Sequence, residues 1–109
     1  MTDKIVVLST CASEEEAGKL ARALVEQRVA ACVNVIPRVR SYYRWRGEIE
    51  SGEEYLLVIK SSRVRMPALL AALEKEHSYE VPEVIALPVV DGSPGYLDWL
   101  QASLADEGV

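Results

Sequence analysis

VAACVNVIPRVRSYYRWRG, residues 29–47, is the part of this chain from which its architecture follows. It reads as a strand, an interruption and a strand again. From Val29 to Ile36 the side chains alternate. Ala31, Val33 and Val35 face one way, and Cys32, Asn34 and Ile36 the other. Pro37 has no N–H to give a ladder, so it marks a bulge, bend or edge. The strand pattern resumes from Arg38 to Arg46, and Gly47 signals a turn. A returning strand runs through Tyr55-Leu56-Leu57-Val58-Ile59-Lys60 and starts before Tyr55. The result is a long hairpin that projects beyond the body of a small domain.

The flanking segments complete the pattern. Upstream, Ile5-Val6-Val7-Leu8 is a continuous apolar run that suits a covered strand. Ser13 can cap a helix, Glu16 stands where a capping box needs it, and Glu14-Glu15-Glu16 complement the helix dipole. Ala17, Leu20, Ala21, Leu24 and Val25 line one face of that helix, which ends near Gln27-Arg28. Downstream, Met66, Leu69, Leu70 and Leu73 define a second helix, with Pro67 in its first turn and its end near Glu76-His77. Val84 to Val90 reads as the last strand. Ser93 and Pro94 open a short terminal helix from Tyr96 to about Leu104, and Asp106 to Val109 is a loose tail.

The order is β-α-β-β-α-β-α, and its first six elements match the split βαβ, ferredoxin-like pattern. The fold class is therefore α+β, with one domain over residues 1–109. Such a sheet covers one face with helices and leaves the other bare. Large and apolar side chains on both hairpin faces then imply packing against another subunit.

Composition narrows the function. The formal net charge of −5 argues against a general nucleic-acid binder. No apolar run approaches the ~20 residues of a membrane span. Met1-Thr2-Asp3-Lys4 has none of the features of a signal peptide, which points to the cytoplasm. The two cysteines, Cys11 and Cys32, are expected as free thiols. Their spacing excludes a zinc ribbon, and no phosphate loop, HExxH or assembled triad is present, so no catalytic residue is assigned.

Several residues still invite a functional reading. Arg38, Arg40, Arg44 and Arg46 interleave with Tyr42, as in a single-strand nucleic-acid binder. The favoured alternative is cross-strand pairing with Glu48, Glu50, Glu53 and Glu54. Tyr42, Tyr43 and Trp45 are an aromatic group suited to an interface. Cys32 reads as a small buried residue, whereas Cys11 precedes a helix N-terminus, where a thiolate is favoured. His77, the single histidine, either hydrogen-bonds the end of its helix or ligates a divalent metal with Glu76 or Glu80.

Taken in order, the segments resemble one family. They are Arg28 to Pro37, Ser41 to Ile49, Glu54 to Ser61, and Tyr96-Leu97-Asp98-Trp99-Leu100. To these is added His77-Ser78-Tyr79-Glu80-Val81-Pro82-Glu83, which is similar to a His-Pro-Tyr-Glu-x-Pro-Glu motif. The family is CutA, the divalent-cation tolerance proteins. The resemblance implies a non-enzymatic, cytoplasmic homotrimer like that of the PII signalling proteins. It implies Cu(II) or another divalent metal as ligand, with no organic cofactor, nucleic acid or membrane. The metal role falls on His77, with Glu76 and Glu80 beside it. An intersubunit cleft that could take a small molecule falls on Cys32, Tyr43, Trp45, Lys60, Tyr79 and Glu83. Two positions depart from the pattern: Ser78 replaces the usual proline, and Ser9 stands where some members carry a cysteine, a soft copper ligand.

Overall fold

The computed structural model describes residues 1–105. Its elements are β1 (Lys4–Cys11), α1 (Glu14–Glu26), β2 (Cys32–Trp45), β3 (Glu48–Ser62), α2 (Met66–Glu76), β4 (Ile85–Pro88) and α3 (Pro94–Leu104). The sheet order is β2-β3-β1-β4, with antiparallel neighbours throughout. This is the split βαβ arrangement expected from the sequence. The hairpin of β2 and β3 draws the molecule out to 49 Å along its longest axis.

Local chemistry explains the element ends. Ser13 caps α1 by accepting the Glu16 N–H at 3.1 Å. After α1 the chain turns through Arg28 at a φ of 58°, and the N–H groups of Val29 and Ala30 both reach back to the Leu24 carbonyl. Residues expected to begin the strand at Val29 are therefore spent closing the helix, and β2 starts at Cys32. The last strand is also shorter than the Val84–Val90 expected, ending at Pro88, which has no N–H. The Val89 N–H still finds the Lys4 carbonyl at 3.0 Å. Ser93 occupies the N-cap of α3, but its side chain makes no capping bond. The loose tail expected at Asp106–Val109 lies outside the described residues.

The core lies between one sheet face and the helices. Val7, Leu57 and Ile59 meet Leu20, Leu24, Leu69 and Leu73, all essentially inaccessible to solvent. Burial of this kind stabilises by about 25 cal/mol per Å² of apolar surface. α3 crosses one end of the opposite face. There Leu100 and Leu104 pack on Ala31, and the Lys4 ammonium donates to Gln101 Oε1 at 2.7 Å.

One irregularity shapes everything beyond it. Ile36 faces Leu56 and Val39 faces Glu54, so Pro37 and Arg38 together oppose Tyr55 alone. Two residues against one is a β-bulge, and it shifts the side-chain parity of β2 by one. Before the bulge Cys32, Asn34 and Ile36 lie on the face away from α1 and α2; after it Val39, Ser41, Tyr43 and Trp45 do. At the tip, Trp45 pairs with Glu48 across Arg46 and Gly47, which have φ values of 51° and 82°. Two left-handed residues make a type I′ turn, and glycine takes that conformation without strain.

Candidate functional site

The cleft residues expected from the resemblance are gathered by the parity shift. Cys32 stands opposite Lys60, Tyr43 opposite Glu50 and Trp45 opposite Glu48, and all share the sheet face that α1 and α2 leave bare. Without the bulge, Cys32 would lie on one face and Tyr43 and Trp45 on the other. Along the same face run Val6, Leu8, Leu56 and Val58, with Ile85 and Leu87 half exposed at the β4 edge. Tyr43 leans across the hairpin towards Gly52, its hydroxyl 3.9 Å from where a Cβ there would sit. Tyr96 of α3 is close enough to Cys32 that burial, then that thiol, raise its hydroxyl pKa.

The loop after α2 docks onto this face. The Tyr79 hydroxyl donates to Glu54 Oε2 at 2.8 Å. Burial, then the Glu54 carboxylate, push the Tyr79 hydroxyl far above its ordinary value, so it stays a donor. Glu54 lies on the bare face beside Leu56, so this bond ties the loop to the base of the hairpin. Glu83 is exposed further along the loop.

His77 is seated beneath the loop. Its side chain is fully enclosed, with Nε2 2.7 Å from the Thr10 carbonyl and Nδ1 2.9 Å from the Tyr79 N–H. A carbonyl can only accept and an amide N–H can only donate. The geometry therefore assigns a neutral ring with its proton on Nε2. Both nitrogens are occupied, and neither has a free lone pair for a metal. The ring thus reaches across to β1 rather than to the end of its own helix, and its backbone N–H closes α2 on the Leu73 carbonyl. Glu76 and Glu80 are exposed. Among the described residues no three His, Cys, Asp or Glu side chains come together as a metal-binding group. The residues of a single copy therefore do not fit a resident metal ion.

Glu16 is the member of this cluster that sequence reasoning missed. Its carboxylate accepts the Ser78 N–H at 2.8 Å and the Ser78 hydroxyl at 2.9 Å, and its Oε2 lies 3.7 Å from His77 Nδ1. Burial pushes the Glu16 carboxyl upward, but the Ser78 and Ala12 donors outweigh it and hold it below 4.5. A proline at position 78 would supply neither of the Ser78 bonds. The contact joins residues 62 apart, and no local pattern announces it.

Two further expectations are corrected. Cys11 is no activated thiolate: it ends β1, is fully buried, and burial, then Glu16, push its thiol up to about 11. The hairpin arginines are not paired across the strands as a set. Arg40 faces Glu53, but Arg44 faces Ile49, and Glu48 and Glu50 lie on the other face. Among the described residues none of these arginines forms an ion pair. Arg46 instead sits 5.5 Å over the Trp45 ring.

Residues 5–103 match the family model described as CutA1 divalent ion tolerance protein. The chain belongs to this family. The CutA divalent-cation tolerance protein of Thermus thermophilus is 48% identical over 96 residues, covering 88% of this chain and 93% of that protein. The mouse protein CutA is 50% identical over 91 residues, 84% of this chain, but the match spans only 51% of the mouse sequence. Among solved structures, CutA from Xylella fastidiosa superposes with a TM-score of 0.93 at 38% identity, covering 95% of this chain and all of that one. The segment at residues 77–83 lies within that match and is thus placed physically. Its His77 and Tyr79 fasten a loop to the end of β1 and to the hairpin. Among the described residues, no helix is long and apolar enough to cross a membrane.

Proposed function

We propose that this chain acts in divalent-cation tolerance as a cytoplasmic, non-enzymatic homotrimer, and that it takes up Cu(II) or another divalent metal between its subunits. The observation that carries this is the family match over residues 5–103, joined to the lack of a three-ligand group within one described copy. Donors that do not converge in one chain can converge across a symmetric interface. The exposed Glu76 and Glu80 are available for that role. His77 joins them only by giving up the Thr10 carbonyl or the Tyr79 N–H. The aliphatic bare face, with Ile85 50% and Leu87 45% exposed, supports burial against a second copy.

Calorimetry with Cu(II) on the assembled protein tests the metal reading. Saturable binding that weakens in Glu76→Gln/Glu80→Gln supports it, and absence of binding contradicts it. A second reading, a PII-like module that takes a small molecule in the cleft, is favoured by one observation. Cys32, Tyr43, Trp45 and Lys60 share one face, to which Tyr79 is tied through Glu54. A metabolite that raises the melting temperature in proportion to its occupancy, where metals do not, would favour this reading.

A further inference from the structure

Between β4 and α3 the chain runs through residues 89–93 without strand or helix, and Asp91 and Gly92 are both exposed there. The Gly92 N–H donates to Asp91 Oδ1 at 2.8 Å, and among the described residues no backbone carbonyl accepts it. Nor does the Asp91 carboxylate form an ion pair among the described residues. The nitrogen of the next peptide is thus held against the aspartate's own carboxyl group, in a loop with little else to restrain either. Asp91 is the one aspartate in the sequence followed by glycine. Asp3, Asp98 and Asp106 precede Lys4, Trp99 and Glu107, whose side chains hinder approach to the peptide nitrogen. Packing favours the glycine, because a Cβ at position 92 would lie only 3.3 Å from Leu97 Cδ2.

We propose that Asp91-Gly92 is a self-modification site, at which the backbone isomerises as the protein ages and loosens α3. The Gly92 nitrogen attacks Asp91 Cγ in the acid form of the carboxyl. The N–Cγ bond forms and one Cγ–O bond breaks. That oxygen departs as water, carrying the Gly92 amide proton and the carboxyl proton, and leaves a cyclic succinimide. Water then opens the ring at either carbonyl. Addition at Cγ restores aspartate. Addition at the former backbone carbonyl gives isoaspartate, with the chain routed through Cβ and Cγ and a carboxylate on Cα. Water is lost and regained, and no oxidant or cofactor enters. The extra methylene falls just before Gly92, on which Leu97 packs, and before Ser93, whose carbonyl accepts the Leu97 N–H at 3.0 Å. α3 is seated by Leu100 and Leu104 on Ala31 and by polar bonds from Lys4 and Arg65. So small an apolar cluster gives α3 little to resist displacement of its first turn. The inference is independent of the metal and homotrimer readings.

Ageing of the full chain tests it. Wild type, Asp91→Glu and Asp91→Asn are kept warm near neutral pH for several weeks, beside wild type unfolded in guanidinium chloride. Digests of timed samples are fragmented by electron transfer, which distinguishes isoaspartate from aspartate, and the imide appears as a peptide lighter by one water. Isoaspartate is expected at position 91 and at no other aspartate. Its rate in the folded chain should lie within about tenfold of that in the unfolded chain, because an unconstrained loop opens at almost no cost. Asp91→Glu, which would have to close a larger ring, loses the modification. Asp91→Asn, whose side chain leaves as ammonia, reaches the same isoaspartate faster and supplies the isomerised chain in quantity. Hydrogen exchange on that material should show α3 amides exchanging faster than in fresh wild type. No isoaspartate at 91, a folded rate more than about tenfold below the unfolded one, or equal conversion at Asp3 or Asp98 would each overturn the site. Unchanged exchange in α3 of the isomerised chain would overturn its consequence for the fold.

Discussion

His77 is hydrogen-bonded through Nε2 to the carbonyl of Thr10, 2.7 Å away and 67 positions earlier in the chain. The bond fixes the proton on Nε2 and leaves Nδ1 to accept from Tyr79, the residue that holds Glu54 at the hairpin base. One ring thus joins the end of β1 to the loop after α2. Replacing it by alanine leaves the Thr10 carbonyl and the Tyr79 N–H short of partners and opens a void. His77→Ala is expected to lose about 2–4 kcal/mol in urea unfolding. A variant as stable as wild type would contradict the anchoring role.

Glu16 predicts an acid response. Its folded pKa lies below the ordinary 4.5, so the stability it contributes is fully present above that value. It is lost as pH falls through the folded pKa. Urea midpoints measured from about pH 6 down to about pH 3 should therefore fall less steeply in Glu16→Gln than in wild type. Ser78→Pro, which removes both Ser78 donors, should flatten the profile in the same direction. Parallel profiles for all three proteins would count against the clamp.

Ser9 predicts a gain. Its hydroxyl is the buried side-chain polar atom that, among the described residues, has no hydrogen-bond partner. It sits on the core face of β1 between Val7 and Cys11, opposite Leu57. Ser9→Ala removes an unpaired buried hydroxyl and should raise stability by about 1 kcal/mol. A loss of stability would mean that the hydroxyl has a role its surroundings do not reveal.

Cys11 predicts silence. A buried thiol with its pKa raised to about 11 is scarcely ionised at neutral pH. In the folded protein its alkylation by iodoacetamide near pH 8 should proceed no faster than unfolding. Peptide mapping of time points reads this directly, and prompt modification of Cys11 would contradict it.

Much of this was legible in the residues. Ser13, the Ala17, Leu20 and Leu24 positions of the α1 stripe, Pro67 in the first turn of α2 and Gly47 at the tip each impose a local rule that the structure obeys, whereas Val25 of the same stripe is exposed. Pro37 marked the bulge, but its consequence was not carried forward. Shifting parity by one residue places the arginines and most of the glutamates on opposite faces, so the expected ladder of ion pairs is absent. The start of β2 was misplaced because Val29 and Ala30 are strand-like in type yet spend their N–H groups on the end of α1. His77 was read against its own helix because nothing local points to Thr10 or Glu16. Contacts between residues more than sixty positions apart carry no periodic signal, and they decide what this histidine does.

The central claim is that the bare sheet face and the projecting hairpin are surfaces at which identical copies meet. Light scattering coupled to size-exclusion chromatography measures this without labels or variants. The account predicts a particle of three chains of 12.1 kDa each, persisting on dilution. A single species at the mass of one chain would contradict it.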